Sequence, residues 1–220
     1  MKSVTFVRHC RLSDPYTDYS TLSLDQLRSL GTGQIDPDIH PGSYWEIAEK
    51  FPREELQAFD LILCAPSTRT RQTAELIKRL SERDPEIEES DILREISFDL
   101  ALLTSEEKFA RDGLPEIRAA LFKGIMRNES GAEAVDDLLK RVGALTELLE
   151  QTQRENILCI THSFYMRVLR LYFLECLTHC EDITSDKLIN TLDHNYLEGF
   201  TLSLENESLF PHLARDVSVV

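Results

Sequence analysis

Three short, continuous apolar runs constrain what this chain can fold into more than any other feature. They are Ser3 to Val7, Asp60 to Cys64 and Asn156 to Thr161, and each breaks into a polar cluster at its carboxyl end. A strand without polar alternation needs cover on both faces, which is the condition of a parallel sheet with helices on either side. A later stretch, Leu197 to Leu204, reads as an added edge strand.

Between these runs the apolar spacing changes to that of helices. Thr70 to Leu80 carries Ala74, Ile77 and Leu80, and Glu133 to Leu149 puts Val135, Leu138, Leu139, Val142, Leu145 and Leu149 on one stripe. Arg167 to Leu177 is rich in Leu, Tyr and Phe and reads as a buried helix. Residues 105 to 127 also read as helical, with an amphipathic basic face from Lys108 to Arg127. The segment from Asp14 to Pro41 reads as a long loop with one short helix, and the acidic stretch from Glu82 to Asp91 as a solvated loop. The expected architecture is a three-layer α/β/α fold with a mostly parallel central sheet, one domain over residues 1–220.

Composition narrows the function classes. The 220 residues hold 24 Lys plus Arg against 39 Asp plus Glu, a formal charge of −15. A general nucleic-acid binder carries the opposite balance, so no nucleic-acid partner is expected. The first apolar run stops at Arg8-His9, too soon for a signal-peptide core, and no stretch approaches the length of a membrane span. Five cysteines, two of them inside apolar runs, suit a reducing compartment. The expected location is the cytoplasm, with no membrane partner.

The chemistry collects where the three runs end. The first leads into Arg8-His9-Cys10, the second into Ala65-Pro66-Ser67-Thr68-Arg69 and the third into Thr161-His162-Ser163. Open α/β sheets bind ligands outside the carboxyl ends of their strands. If the strands are parallel neighbours, His9, His162, Arg8 and Arg69 converge there. Arginine forks match phosphate oxygens, and helix N-termini add amide donors.

These motifs resemble the histidine phosphatase superfamily, the group that includes the phosphoglycerate mutases. Phe6-Val7-Arg8-His9-Cys10 stands where the family has a strand followed by Arg-His-Gly, and residues 65–74 match its Ser-Pro-x-x-Arg-Ala-x-Gln-Thr-Ala signature. Gly131-Ala132-Glu133 loosely matches Gly-Glu-Ser, and Ile160-Thr161-His162-Ser163 matches strand then Thr-His-Gly. The resemblance implies a phosphoglycerate mutase-like fold and His9 as a nucleophile that takes the phosphoryl group. It also implies a phosphate clamp of Arg8, Arg69 and His162, and Glu95 of Leu93-Arg94-Glu95 as proton donor. It implies neither metal nor cofactor, and a phosphorylated small molecule or phosphoprotein as substrate.

The departures lie around the clamp. Cys10 and Ser163 replace family glycines; both are small enough if φ stays negative. Cys10 is expected to pack rather than to serve as an oxidisable thiol, and Ser163 is a possible substrate contact. Arg11 stands where an acidic residue or Gln is common, and either contacts substrate or is a solvated charge. The mutase element Glu-Arg-His-Tyr-Gly is replaced by Glu95-Ile96-Ser97-Phe98-Asp99. A metal-independent phosphomonoesterase is therefore the leading expectation. A mutase-type phosphoryl transferase and a weakly catalytic phosphate-binding or protein-interaction module are the alternatives. Cys176, His179 and Cys180 have metal-ligand spacing on a predicted helix, and core packing is the preferred reading.

Overall fold

The computed structural model describes residues 2–174, 184–191 and 194–204. Its strands are β1 (Lys2–Arg8), β2 (Leu61–Cys64), β3 (Glu86–Glu89), β4 (Asn156–Thr161) and β5 (Gly199–Leu204), forming one sheet in the order β3-β2-β4-β1-β5. The β3-β2, β2-β4 and β4-β1 pairs are parallel, and β5 alone runs antiparallel, against β1. The helices described are α1 (Leu24–Gly31), α2 (Ser43–Lys50), α3 (Arg53–Leu56), α4 (Thr68–Leu80), α5 (Leu100–Leu103), α6 (Glu106–Asp112), α7 (Leu114–Arg127), α8 (Val135–Gln151), α9 (Ser163–Leu174) and α10 (Ser185–Asn190).

The continuous apolar runs are explained by how the sheet is covered. Alternate side chains of each central strand enter two different cores. Val4 and Phe6 of β1, Leu61 and Leu63 of β2, and Ile157 and Cys159 of β4 pack with α7, α8 and α9. Val7, Ile62, Cys64, Leu158 and Ile160 face the other way, against Ile47 of α2, Leu56 of α3 and Ala74 and Ile77 of α4. The three-layer α/β/α expectation is therefore met. Phe6 is stacked between Phe173 and Phe200, with ring centroids 5.6 and 5.1 Å away.

Several sequence expectations are corrected by the structure. The acidic stretch holds β3, a solvent-facing edge strand whose backbone pairs with β2 while its glutamates stay outside. Residues 105–127 are helical as expected, and they divide into α6 and α7 because Gly113 takes φ 63° and turns the chain between them. The short helix expected between Asp14 and Pro41 is α1, closed at its start by a Ser23–Gln26 capping box. The helix expected from Arg167 starts earlier, at Ser163. Cys176, His179 and Cys180 lie outside the described residues.

A third, smaller hydrophobic cluster stands apart from the sheet. Leu22, Leu24 and Leu27 meet Leu100 and Ile117 there, bracing α1 against α5 and α7. Partly buried Leu30, Phe98, Leu114 and Phe164 pack on its edge.

Candidate active site

Sheet order brings the polar strand ends together. β1 and β4 are parallel neighbours in a register that sets Arg8 beside Thr161, so the next residues, His9 and His162, leave the sheet side by side. The ladder continues one step further, as the His9 amide donates to the Thr161 carbonyl over 3.1 Å. β2 flanks β4 on its other side and delivers Ala65 to Arg69 at the same end. The imidazole centroids of His9 and His162 stand 5.2 Å apart, and both residues are buried.

Each histidine has a defined tautomer. His9 Nδ1 lies 2.7 Å from the Cys10 carbonyl, which can only accept, so Nδ1 carries the proton and Nε2 keeps a lone pair. His162 Nδ1 accepts from Arg69 Nε at 3.3 Å, and this puts the neutral ring's proton on Nε2, 3.5 Å from Ser67 Oγ. Burial drives the pKa of His9 well below its ordinary value of 6.5, with Arg69, His162 and Arg8 adding to the shift. His162 is lowered for the same leading reason, again with Arg69 and Arg8 contributing. Both rings are neutral at neutral pH.

The two arginines are positioned by their surroundings. Arg8 donates to the His194 carbonyl at 3.0 Å, and its guanidinium lies over the Tyr196 ring, 4.2 Å from the centroid. Arg69, in the first turn of α4, pairs with Asp36 at 2.8 Å. Asp36 also accepts from the Thr68 amide at 2.6 Å, so one carboxylate ties the Asp14–Pro41 segment to this helix start. Ser67 caps α4 by accepting from the Thr70 amide.

Glu95 arrives from a different part of the chain. Its carboxylate receives the amides of Phe164 at 3.2 Å and Tyr165 at 2.8 Å, at the start of α9, and that of Ile96 at 3.0 Å. These amides favour the ionised form, but burial outweighs them and the pKa is raised above the ordinary 4.5. The segment bearing Glu95 is anchored from behind by Glu133, which accepts from Arg94 through both guanidinium nitrogens at 3.1 and 3.2 Å and from the Ser97 amide at 3.0 Å. Arg141 completes this network, with Nε 3.2 Å from Glu133 and a bond to the Arg94 carbonyl.

These groups line a cavity of about 540 Å³. Arg8, His9, Arg69, Glu95, His162 and Ser163 all contribute to its wall. Arg11 is not among its lining residues: its guanidinium is held by Glu46 at 2.6 Å and lies 3.3 Å from His40 Nδ1. Neither Cys10 nor Ser163 adopts a positive φ, so neither position demands glycine. Cys10 is wholly buried, and burial pushes its thiol up to about 11, as suits a packing residue and not a reactive thiolate.

Asp36, Ser67, Tyr196 and Tyr19, whose ring centroid lies 5.8 Å from the Arg8 guanidinium, belong to this environment without any mark of that role in the sequence pattern. Asp36 and Tyr19 sit in the least periodic segment of the chain, where spacing carries no signal. Ser67 was visible only as a helix start. Tyr196 follows the His194-Asn195 pair that precedes the last strand, and its partner Arg8 is distant in sequence.

Solved structures with this architecture extend over nearly the whole chain. The mycobacterial glucosyl-3-phosphoglycerate phosphatase superimposes with a TM-score of 0.64 at 13% identity, covering 99% of this chain and 96% of its own. Phosphoserine phosphatase from Entamoeba histolytica, in complex with 3-phosphoglyceric acid, gives 0.61 at 16% identity, covering 99% and 97%. A protein described as mycobacterial hydrolase 1 gives 0.62 at 13% identity, covering 100% and 96%. No curated protein is matched by the sequence. At such low identities the structures establish a shared fold, phosphoglycerate mutase-like, and nothing narrower. The family model for branch 1 of the histidine phosphatase superfamily matches residues 4–186, and the chain therefore belongs to that superfamily.

Proposed function

We propose that the protein is a phosphomonoesterase that works through a phosphohistidine at His9. The observation that carries this reading is the fixed tautomer of a buried, neutral His9, held beside two arginines and a second histidine. Phosphoryl transfer asks a protein chiefly for position and for charge stabilisation, and these groups supply both.

In the first step His9 Nε2 attacks phosphorus in line and the ester P–O bond breaks. Arg8, Arg69 and His162 Nε2–H balance the charge on the equatorial oxygens. Glu95, its pKa raised by burial, gives its proton to the departing alkoxide. In the second step the Glu95 carboxylate takes a proton from water as the water attacks phosphorus. The N–P bond then breaks, inorganic phosphate leaves, and both side chains return to their starting states. Hydrolysis rather than mutase transfer is supported by the phosphatases named above, and by Ile96-Ser97-Phe98 after the acid, where mutases carry polar contacts.

Hydrolysis of an aryl phosphate with chelator present tests the reading. The natural protein should turn over, and His9→Ala should lower the rate by more than about 10³-fold. Activity retained by His9→Ala overturns the nucleophile assignment. Absence of turnover in both, with vanadate still bound by the natural protein, would favour the binding-module alternative.

A further inference from the structure

The cavity extends well past the groups that would hold a phosphoryl moiety. Its volume of about 540 Å³ falls inside the range of small-molecule sites, roughly 300–1,000 Å³. Much of the rest of its wall is apolar: Leu27 and Leu30 from α1, Phe98 and Leu100 from the segment after Glu95, Ile117 from α7 and Phe164 from α9. Phe98 is edge-on to Phe164 at 5.7 Å and lies against Gly31, where a Cβ would stand 2.5 Å from the ring. These side chains belong to the third hydrophobic cluster, and Leu30, Phe98 and Phe164 are only partly buried within it.

The charged side chains on this wall are already engaged by the protein. Arg94 is held by Glu133 and Ser97, and Asp36 by Arg69 and the Thr68 amide. Arg118 also lines the cavity and likewise has a partner. A polyol placed here would exchange water for hydrocarbon with few hydrogen bonds in return, which is unfavourable. An apolar body would cover partly exposed Leu and Phe side chains, which is favourable.

We infer that the natural substrate is a monophosphate ester of an apolar alcohol, aliphatic or aryl-alkyl, whose carbon body fills this chamber while its phosphoryl group sits at the clamp. The inference rests on the phosphatase reading and makes that reading specific: the chamber selects the leaving group. Sugar phosphates and phosphorylated hydroxy acids are poor substrates by comparison.

The test is a series of primary alkyl esters with similar leaving groups: ethyl, butyl, hexyl and 2-phenylethyl phosphate, set against glycerol 3-phosphate and phosphoserine. Each methylene buried on binding is worth up to about fourfold, so kcat/KM should rise at least about tenfold from ethyl to hexyl. Leu30→Gln and Phe98→Ser should flatten this dependence on apolar size, with thermal melting used to confirm that each variant folds. Binding of ethyl-, hexyl- and 2-phenylethylphosphonate to the natural protein, measured by calorimetry, should follow the same order without any turnover. A flat or falling series in both assays, or a preference for glycerol 3-phosphate or phosphoserine, overturns the inference while leaving a His9-dependent phosphatase intact. Ranked phosphonate binding with no hydrolysis of any ester would support the chamber and sink the phosphatase reading.

Discussion

At the scale of single residues, the opposed shifts of His9 and Glu95 define a pH window. The proposed nucleophile must be neutral, and burial lowers the pKa of His9 well below 6.5. Activity should therefore persist below pH 6.5 as the medium is acidified, and fall only as the pH passes through the lowered value. Glu95 must begin protonated, and its pKa is raised above 4.5, so activity should decline as the pH rises through that raised value. The profile of kcat/KM with an alkyl ester, corrected for the ester's own second ionisation, should thus be a bell with its acid limb set by His9 and its alkaline limb by Glu95. Glu95→Gln should lower kcat by about 10²–10⁴-fold and remove the alkaline limb. An alkaline limb that survives in this variant would assign the proton to another group. A separate expectation concerns Glu133, buried among Arg94, Arg141 and the Ser97 amide. Glu133→Ala removes the buried carboxylate that balances Arg94 and Arg141, the latter 9% exposed, and should cost about 3–5 kcal/mol in urea unfolding. Glu133 acts on the proposed chemistry only by positioning the segment that carries Glu95.

At the scale of elements, β1, β2 and β4 set out the site because their register fixes where each motif leaves the sheet. The antiparallel β5 matters through one close approach. A Cβ on Gly199 would stand 1.6 Å from the Phe6 carbonyl oxygen and 2.9 Å from Val7 Cα, all backbone atoms. Gly199→Ala cannot be relieved by rotating a side chain, and should shift the β1–β5 pair at a cost of about 1–3 kcal/mol, read from a denaturation midpoint. A midpoint equal to that of the natural protein would show that β5 can move away from β1 freely. These pairings also explain what could be seen in the sequence. The buried strands are legible because cover on both faces leaves a continuous apolar run, and the run over residues 156–161 coincides with β4. The edge strand β3 was missed because Glu86, Glu88 and Glu89 face solvent, and its backbone pairing to β2 leaves no mark on side-chain polarity. The division of the 105–127 helical stretch at Gly113 leaves no mark in the sequence pattern, because the apolar spacing continues across it. At the site, residues attached to strand ends were legible from local motifs. Asp36 and Tyr196 act through contacts with Arg69 and Arg8 that only the folded chain creates, and Arg11 is engaged by Glu46 from α2, which spacing could not reveal.

At the scale of the whole molecule, the proposed cationic clamp of Arg8 and Arg69 is embedded in a chain of net charge −15. A phosphate dianion approaching to about 20 Å of such a charge meets an unscreened repulsion on the order of 6 kcal/mol in water. The clamp arginines are already counted in the net charge, so they act as a separate attraction only once the substrate is nearer to them than to the surrounding carboxylates. Salt acts on the two ranges differently. The Debye length shrinks from about 30 Å at 0.01 M to about 8 Å at 0.15 M and about 3 Å at 1 M. Between the first two conditions the long-range repulsion is removed while contacts inside the cavity are largely spared. Toward 1 M the approach to Arg8 and Arg69 is screened as well. The expected dependence of kcat/KM on sodium chloride, at fixed pH, is therefore a rise of severalfold followed by a fall. A steady decline from the lowest salt would mean that the clamp's field extends beyond the negative charge around it. The acidic residues would then have to lie mostly away from the cavity mouth, along the β3 edge and the far end of the sheet.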